Sequence, residues 1–326
     1  MTGSTRVMEQ AAIYALVQKV WSEVLSVPCD VSQSWEEAGA DSLCTLHLLL
    51  GLEKALGRKL SYDQFDPQMT AAELAEALYA SNGTTSSPTV VNDEVATIFL
   101  FTGIFGDEPM LAEFRRSFGD RIRFQTIEPP DLDNPTALLT DLVATAALGI
   151  AEIQRVAPAG DLFLAGYSFG GAAAFQAAQV LRASGRRIAW VGIFDAPVVP
   201  DAAKWRERYR GWSSAILHLL GASQAGRRLL MIALERFRPD WIERVQRSLV
   251  WRFRLSALQR WRPGVFEVPA LLALSEEFSA RTATRWRELC PGIEVVRLPT
   301  THRDLLRRSS LDIIAPMVEA AVRGKT

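Results

Sequence analysis

Six short apolar runs constrain this chain more than any other feature. "ATIFLF", "IRFQTI", "LFLAGY", "AWVGIF", "PALLAL" and "IEVVRL" occupy residues 96–101, 122–127, 162–167, 189–194, 269–274 and 293–298, with helix-length segments between them. Short apolar runs that alternate with segments long enough for helices are the pattern of a parallel sheet covered on both faces. Residues 95–326 are therefore expected to form an α/β domain. Some 60 residues, about 201–263, interrupt the pattern between the fourth and fifth runs and hold Trp205, Trp212, Trp241, Trp251, Trp261 and thirteen arginines. That is too long for a simple crossover, and the periodicity of "AILHLLG" and "LLMIALERF" suggests helices, so the insertion reads as a lid.

The first 80 residues follow a different rule. Ile13, Leu16, Val17, Val20, Trp21 and Val24 recur at helical spacing, a second helix runs from about Leu43 to Leu56, and "TAAELAEALYA" has Thr70 and Glu73 in capping-box register. This is a small helical bundle, and with 48% hydrophobic residues the chain has apolar material for two cores. Residues 81–94, "SNGTTSSPTVVNDE", are rich in Ser and Thr without periodicity and read as a flexible linker. The leucines at 43, 46, 48, 49, 50 and 52 crowd more of one helix than a single buried stripe requires. They form either a greasy core helix or a partly exposed docking patch.

Several classes are excluded. No apolar run approaches the roughly 20 residues that cross a bilayer, and "MTGSTRVMEQ" is too polar for a secretory signal, which places the chain in the cytoplasm, off the membrane. Cys29, Cys44 and Cys290 have neither metal-ligand nor disulfide-framework spacing, so no metal is expected. Net charge is near −1, yet residues 1–80 carry 11 acidic against 5 basic side chains, and residues 201–263 carry 14 basic against 5 acidic. With no nucleic-acid-binding motif beside it, the basic segment is read as steering the acidic domain, pairing with acids elsewhere in the α/β domain, or meeting an anionic substrate.

Two serines stand out. "LFLAGYSFGGAAAFQAAQVL", residues 162–181, is a buried strand, a glycine-flanked turn and a helix of small residues, the context of a nucleophile elbow with Ser168 at its apex. The alternative is an ordinary strand-to-helix turn that Ser168 caps. A serine nucleophile needs a base and an orienting carboxylate. Among the three histidines, His47 lies in the leucine-rich helix and His218 in the lid, whereas His302 follows the last strand, where a base belongs. Asp195 in "VGIFDAP" ends the strand after the elbow helix and is the candidate acid, or else a turn residue ahead of Pro197. Backbone amides of Phe169 and, in the "FTGIFGDEP" loop, Ile104 are the candidate oxyanion donors. The other serine is Ser42 in "GADSL", which either caps its helix or is modified.

Residues 95–324 resemble the thioesterase domains that end nonribosomal peptide and polyketide assembly lines, on "GYSFGG", the "IFDAP" carboxylate, the lid insertion and the late His302. Residues 8–80 resemble an acyl or peptidyl carrier domain, on "GADSL". The chain departs from the thioesterases at Thr102-Gly103, where a proline-containing turn is common, and in the Thr-Thr before His302. The resemblance implies an α/β-hydrolase preceded by a small four-helix carrier, with 4'-phosphopantetheine attached to Ser42 by a phosphopantetheinyl transferase. It also implies an upstream synthase or ligase that loads an acyl or peptidyl chain. Ser168, Asp195 and His302 then release that chain by hydrolysis, cyclisation or transfer. The rival readings are a stand-alone esterase and a carrier protein whose α/β domain binds acyl groups without turnover. A phosphopantetheine mass gain on Ser42 separates the first, and fluorophosphonate labelling of Ser168 the second.

Overall fold

A computed structural model describes residues 10–40, 42–58, 60, 65–80, 95–198, 223–238 and 241–324. The chain divides into two compact units, Met1–Val91 and Asn92–Thr326. The stretch expected as a linker, residues 81–94, lies outside the described residues, as do residues 201–222, 239 and 240 of the expected lid.

In the first unit, helices α1 (Gln10–Leu25), α2 (Ser42–Leu56) and α3 (Ala71–Ala80) are the three among the described residues. Their apolar faces meet in one core of Ile13, Val17, Trp21, Leu48, Leu52, Leu74 and Leu78. Trp21 and Trp35 pack edge to face at 4.6 Å, and the indole N–H of Trp35 donates to Thr45 Oγ1 at 2.8 Å. A buried indole therefore keeps its polar atom satisfied while filling the bundle. The capping box forms as its residues dictate: the Thr70 amide donates to Glu73 Oε2 at 2.8 Å, and the Glu73 amide to Thr70 Oγ1 at 3.4 Å. Leu48, Leu49 and Leu52 are all buried, so the crowded leucines whose side chains are described belong to the core. Leu43, Leu46 and Leu50 have side chains outside the description.

The second unit is an α/β-hydrolase. Strands β1 (Thr97–Phe101), β2 (Arg123–Ile127), β3 (Leu162–Tyr167), β4 (Ile188–Phe194), β5 (Ala270–Leu274) and β6 (Glu294–Arg297) form a parallel sheet in the order β2-β1-β3-β4-β5-β6. Successive side chains of one strand go to opposite faces. Phe99, Phe101, Leu162 and Leu164 join helices α6 (Leu142–Val156) and α7 (Phe169–Ala183) in one core. Ile98, Leu100, Phe163 and Ala165 join α4 (Pro109–Arg116) and the last helix, Arg308–Arg323, in the other. Both faces being covered is what required the apolar runs of β1, β3, β4 and β5, each fully buried large side chain contributing about 1.5–3 kcal/mol, whereas the edge strands β2 and β6 are only partly buried and carry Arg123, Gln125, Glu294 and Arg297. A short helix α5 (Thr136–Leu139) precedes α6. Within the insertion stand α8 (Gln224–Phe237) and α9 (Ile242–Arg260); α10 (Ala280–Leu289) and α11 (Arg308–Arg323) complete the unit.

Chain order reverses at β1 and β3: β2 lies beyond one and β4 beyond the other. At such a switch point the connections leave in opposite directions and open a crevice at the carboxyl ends of the strands. Residues 102–108 and Ser168 both emerge there.

Candidate active site

Ser168 occupies the single residue between β3 and α7 at φ 55 and ψ −120, one of three described non-glycine residues with positive φ. An L-residue there is strained and has to be held in place by its surroundings. Glycine on either side makes the tight turn possible: a side chain on Gly166 would run into the Gly170 carbonyl, and one on Gly170 into the carbonyls of Phe101 and Thr102. Strand β3, helix α7 and the end of β1 therefore close on one another. The Ser168 hydroxyl makes no capping bond to its own helix, so capping is not its employment.

Asp195, the residue after β4, also has positive φ, at 51. Its amide donates to the Ala273 carbonyl at 2.8 Å, and the carboxylate is wholly buried. Oδ1 accepts the Ser275 amide at 2.7 Å, while Oδ2 lies 2.9 Å from His302 Nδ1. The loop beyond is secured by the Trp286 indole, which donates to the Ala196 carbonyl at 2.7 Å.

His302 opens a short 3₁₀ turn, His302–Asp304, after β6. Its amide donates to Glu277 Oε1 at 3.0 Å, and its carbonyl accepts the Tyr167 hydroxyl at 2.7 Å. The imidazole stacks on the Tyr167 ring at 4.8 Å and 19°, with Phe278 at 5.7 Å on another side. Burial raises the Tyr167 phenol well above its ordinary value, which keeps it protonated and able to donate. Glu108 lies beside Gly103 and Tyr167, with burial pushing its carboxyl up against the pull of His302, Arg247 and Arg303. His47 is exposed on α2 in the other unit, and His218 lies outside the described residues.

Phe169 and Ile104, expected to supply the oxyanion donors, follow the ends of the adjacent strands β3 and β1 at the sheet's switch point. Phe169 is the first residue of α7, and Ile104 sits in a turn closed by the Gly106 amide donating to the Gly103 carbonyl at 3.2 Å. Among the described residues neither the Phe169 nor the Ile104 amide is taken up by a protein acceptor. Both ends of the loop are fixed: the Thr102 amide donates to Ile127 at 3.0 Å, and buried Arg115 grips Asp107 through two bonds of 2.9 and 2.8 Å.

Part of the basic insertion has a use that the charge count does not suggest. Arg227 on α8 is buried and donates to the Leu132 carbonyl at 2.9 Å, the Asn134 carbonyl at 2.6 Å and Thr136 Oγ1 at 2.8 Å. Arg254 on α9 is buried and donates to the carbonyls of Ile104 and Pro130. These guanidiniums bind carbonyl and hydroxyl oxygens inside the unit and are not surface charges available for steering. Arg206, Arg208 and Arg210 lie outside the described residues. Tyr167, Glu277 and Arg254 were not singled out from sequence, because each acts on a backbone group, which every residue carries.

Ser42 is the first residue of α2, preceded by a turn in which the Gly39 amide donates to Glu36 at 3.0 Å and the Ala40 amide to Trp35 at 3.3 Å. The first turn of α2 contains no acidic side chain, so an anionic group joined there would meet the positive end of the helix unopposed within it. That placement fits a phosphodiester-linked arm. Among the described residues no helix is long and apolar enough to cross a membrane.

Residues 96–322 match the Thioesterase domain family and residues 15–78 match the Phosphopantetheine attachment site family. Enterobactin synthase component F of Escherichia coli is 24% identical over 208 residues, covering 61% of this chain and 16% of that protein. A four-domain nonribosomal peptide synthetase, crystallised in holo form with AMP and glycine, aligns with 98% of this chain and 27% of its own at TM-score 0.54 and 21% identity. The NocB thioesterase domain, solved as a covalent complex with a fluorophosphonate nocardicin G analogue, aligns over 70% of this chain and 94% of its own at TM-score 0.52 and 19% identity. The chain thus spans 16% of the first of these relatives and 27% of the second.

Proposed function

Because the chain belongs to the Thioesterase domain family, we propose that Ser168, His302 and Asp195 are its triad and that it releases an acyl or peptidyl chain held as a thioester on its own carrier domain, in natural-product biosynthesis of the nonribosomal-peptide kind. The chain is a thioesterase, and its carrier domain bears covalently attached 4'-phosphopantetheine. That group supplies a thiol on a long arm, to which the acyl chain is esterified. We assign its attachment to Ser42, the serine of "GADSL" at the start of α2. A phosphopantetheinyl transferase would install it, and an upstream synthetase module would load it.

The observation that carries this reading is the 2.9 Å contact between His302 Nδ1 and buried Asp195, paired with a strained Ser168 whose hydroxyl is not engaged as a helix cap. With Nδ1–H donated to Asp195, the imidazole presents Nε2 as a base. Nε2 takes the Ser168 proton as Oγ attacks the thioester carbonyl, and the negative charge forming on the carbonyl oxygen is received by the amides of Phe169 and Ile104. The C–S bond then breaks, the proton on Nε2 passes to the departing sulfur, and Ser168 is left acylated. A second nucleophile, either water or a group within the acyl chain, gives its proton to Nε2 and attacks the ester, restoring the Ser168 hydroxyl. The test is to load the holo-protein with a radiolabelled acyl chain and follow its release. Ser168→Ala should retain the chain on Ser42 and refuse a fluorophosphonate label, and release at the wild-type rate from Ser168→Ala would refute the assignment.

A further inference from the structure

We propose that Arg254 is a positioning residue that couples the lid to the oxyanion hole: from helix α9 it holds the Ile104 carbonyl, and so fixes the loop whose amide is to receive negative charge from the substrate. This deepens the triad reading above and rests on it.

The contacts converge on one short loop. Arg254 Nη1 donates to the Ile104 carbonyl and Nη2 to the Pro130 carbonyl at 2.8 Å. Its guanidinium carbon lies 6.0 Å from the centroid of the Phe169 ring, so the same side chain abuts both residues whose amides are the oxyanion donors. Arg247 precedes Arg254 by two helical turns on the same face of α9 and lies over the Phe105 ring at 4.2 Å, a second hold on the same loop. The ends of the loop are anchored by the body of the domain, Thr102 to β2 and Asp107 to Arg115, which leaves residues 104 and 105 to the lid helix. They lie in a turn flanked by Gly103 and Gly106, where the backbone is intrinsically loose.

The energetics favour a positional role. Burial lowers the Arg254 guanidinium to about 10, against the opposing influence of Glu128 and Asp131, so it is cationic at neutral pH. Among the described residues it forms no ion pair within bonding distance; its direct partners are carbonyl oxygens. An oxyanion hole works by donors fixed before the charge appears, and losing one donor lowers the rate by roughly 10²–10³-fold. A lid helix that moved away would take the Ile104 hold with it, so thioester cleavage would be tied to lid docking.

The experiment uses the full-length chain and phosphonylation of Ser168 by a fluorophosphonate, whose phosphoryl oxygen occupies the same hole. Arg254→Met should lower the limiting labelling rate by about 10- to 100-fold, leaving half-saturation within about threefold and the midpoint of the pH–rate profile in place. Arg254→Lys, which keeps the charge and can satisfy one carbonyl, should fall between the two; it carries the test alone if Arg254→Met does not fold. A limiting rate within about threefold of wild type in Arg254→Lys and in any folded Arg254→Met would overturn the proposal. So would a change confined to half-saturation, which would make Arg254 a wall of the acyl pocket, or a displaced pH midpoint, which would mean that it acts on His302. Failure of the wild-type protein to label at all would instead sink the triad reading.

Discussion

Asp195→Asn tests the triad most sharply, because the structure dictates which way the new amide must point. Ser275 donates its amide to Oδ1 at 2.7 Å, and His302 Nδ1 faces Oδ2 at 2.9 Å, both in a site without solvent around the carboxylate. The asparagine oxygen has to take the Ser275 amide, since the reverse orientation would set two donors against each other and leave a buried N–H unsatisfied. That penalty is about 1–3 kcal/mol, roughly five- to 150-fold in population. The asparagine NH₂ therefore faces His302 and can only donate. Nδ1 must become the acceptor, the ring proton moves to Nε2, and Nε2 can no longer accept a proton from Ser168. The limiting rate of thioester cleavage should fall by a factor on the order of 10⁴, the scale of a wrong-tautomer triad, while the fold and the Ser275 bond survive. The assay is single-turnover release of an acyl chain from holo-protein at neutral pH, with circular dichroism as the control for folding. A folded variant releasing its acyl chain within tenfold of the wild-type rate would refute the tautomer argument and the acid assignment with it. Losses from Asp195→Asn and His302→Ala should also fail to add, because they disable one unit.

Three other outcomes follow from particular residues. Ser42→Ala should fold as wild type and gain no phosphopantetheine mass when incubated with coenzyme A and a phosphopantetheinyl transferase; intact mass spectrometry decides it. Leu48→Glu places a charge where the side chain is fully buried and should cost the carrier unit at least about 3 kcal/mol, read as loss of its unfolding transition, with Ser168 still labelled by fluorophosphonate; a folded variant defective only in delivery would instead favour a docking role for that helix. Arg227→Met leaves Leu132, Asn134 and Thr136 without their buried donor and should loosen the α8 attachment by about 2–4 kcal/mol. Hydrogen exchange of residues 131–136 would show it.

How much of this was legible in sequence depended on whether the information is local. The four inner strands were readable because a strand buried on both faces is apolar nearly throughout, the edge strands β2 and β6 by their place in the alternation with helices, and the elbow because its strand, glycines and helix are contiguous. Thr70 and Glu73 announced their capping box for the same reason: both partners lie within one turn. Asp195 and His302 could be named from their order along the chain, but only the parallel sheet, which brings the ends of β4 and β6 to one edge, sets Nδ1 and Oδ2 at 2.9 Å across 107 residues. The arginines of the insertion were legible as charge and not as purpose. Arg227 and Arg254 bind carbonyl oxygens between 93 and 150 residues away, and Glu277 and Tyr167 hold the backbone of His302 in the same manner. A backbone group has no residue type, so nothing in the sequence of the acceptor loop could mark it as the partner of a buried cation; only the folded chain selects which carbonyl each one finds.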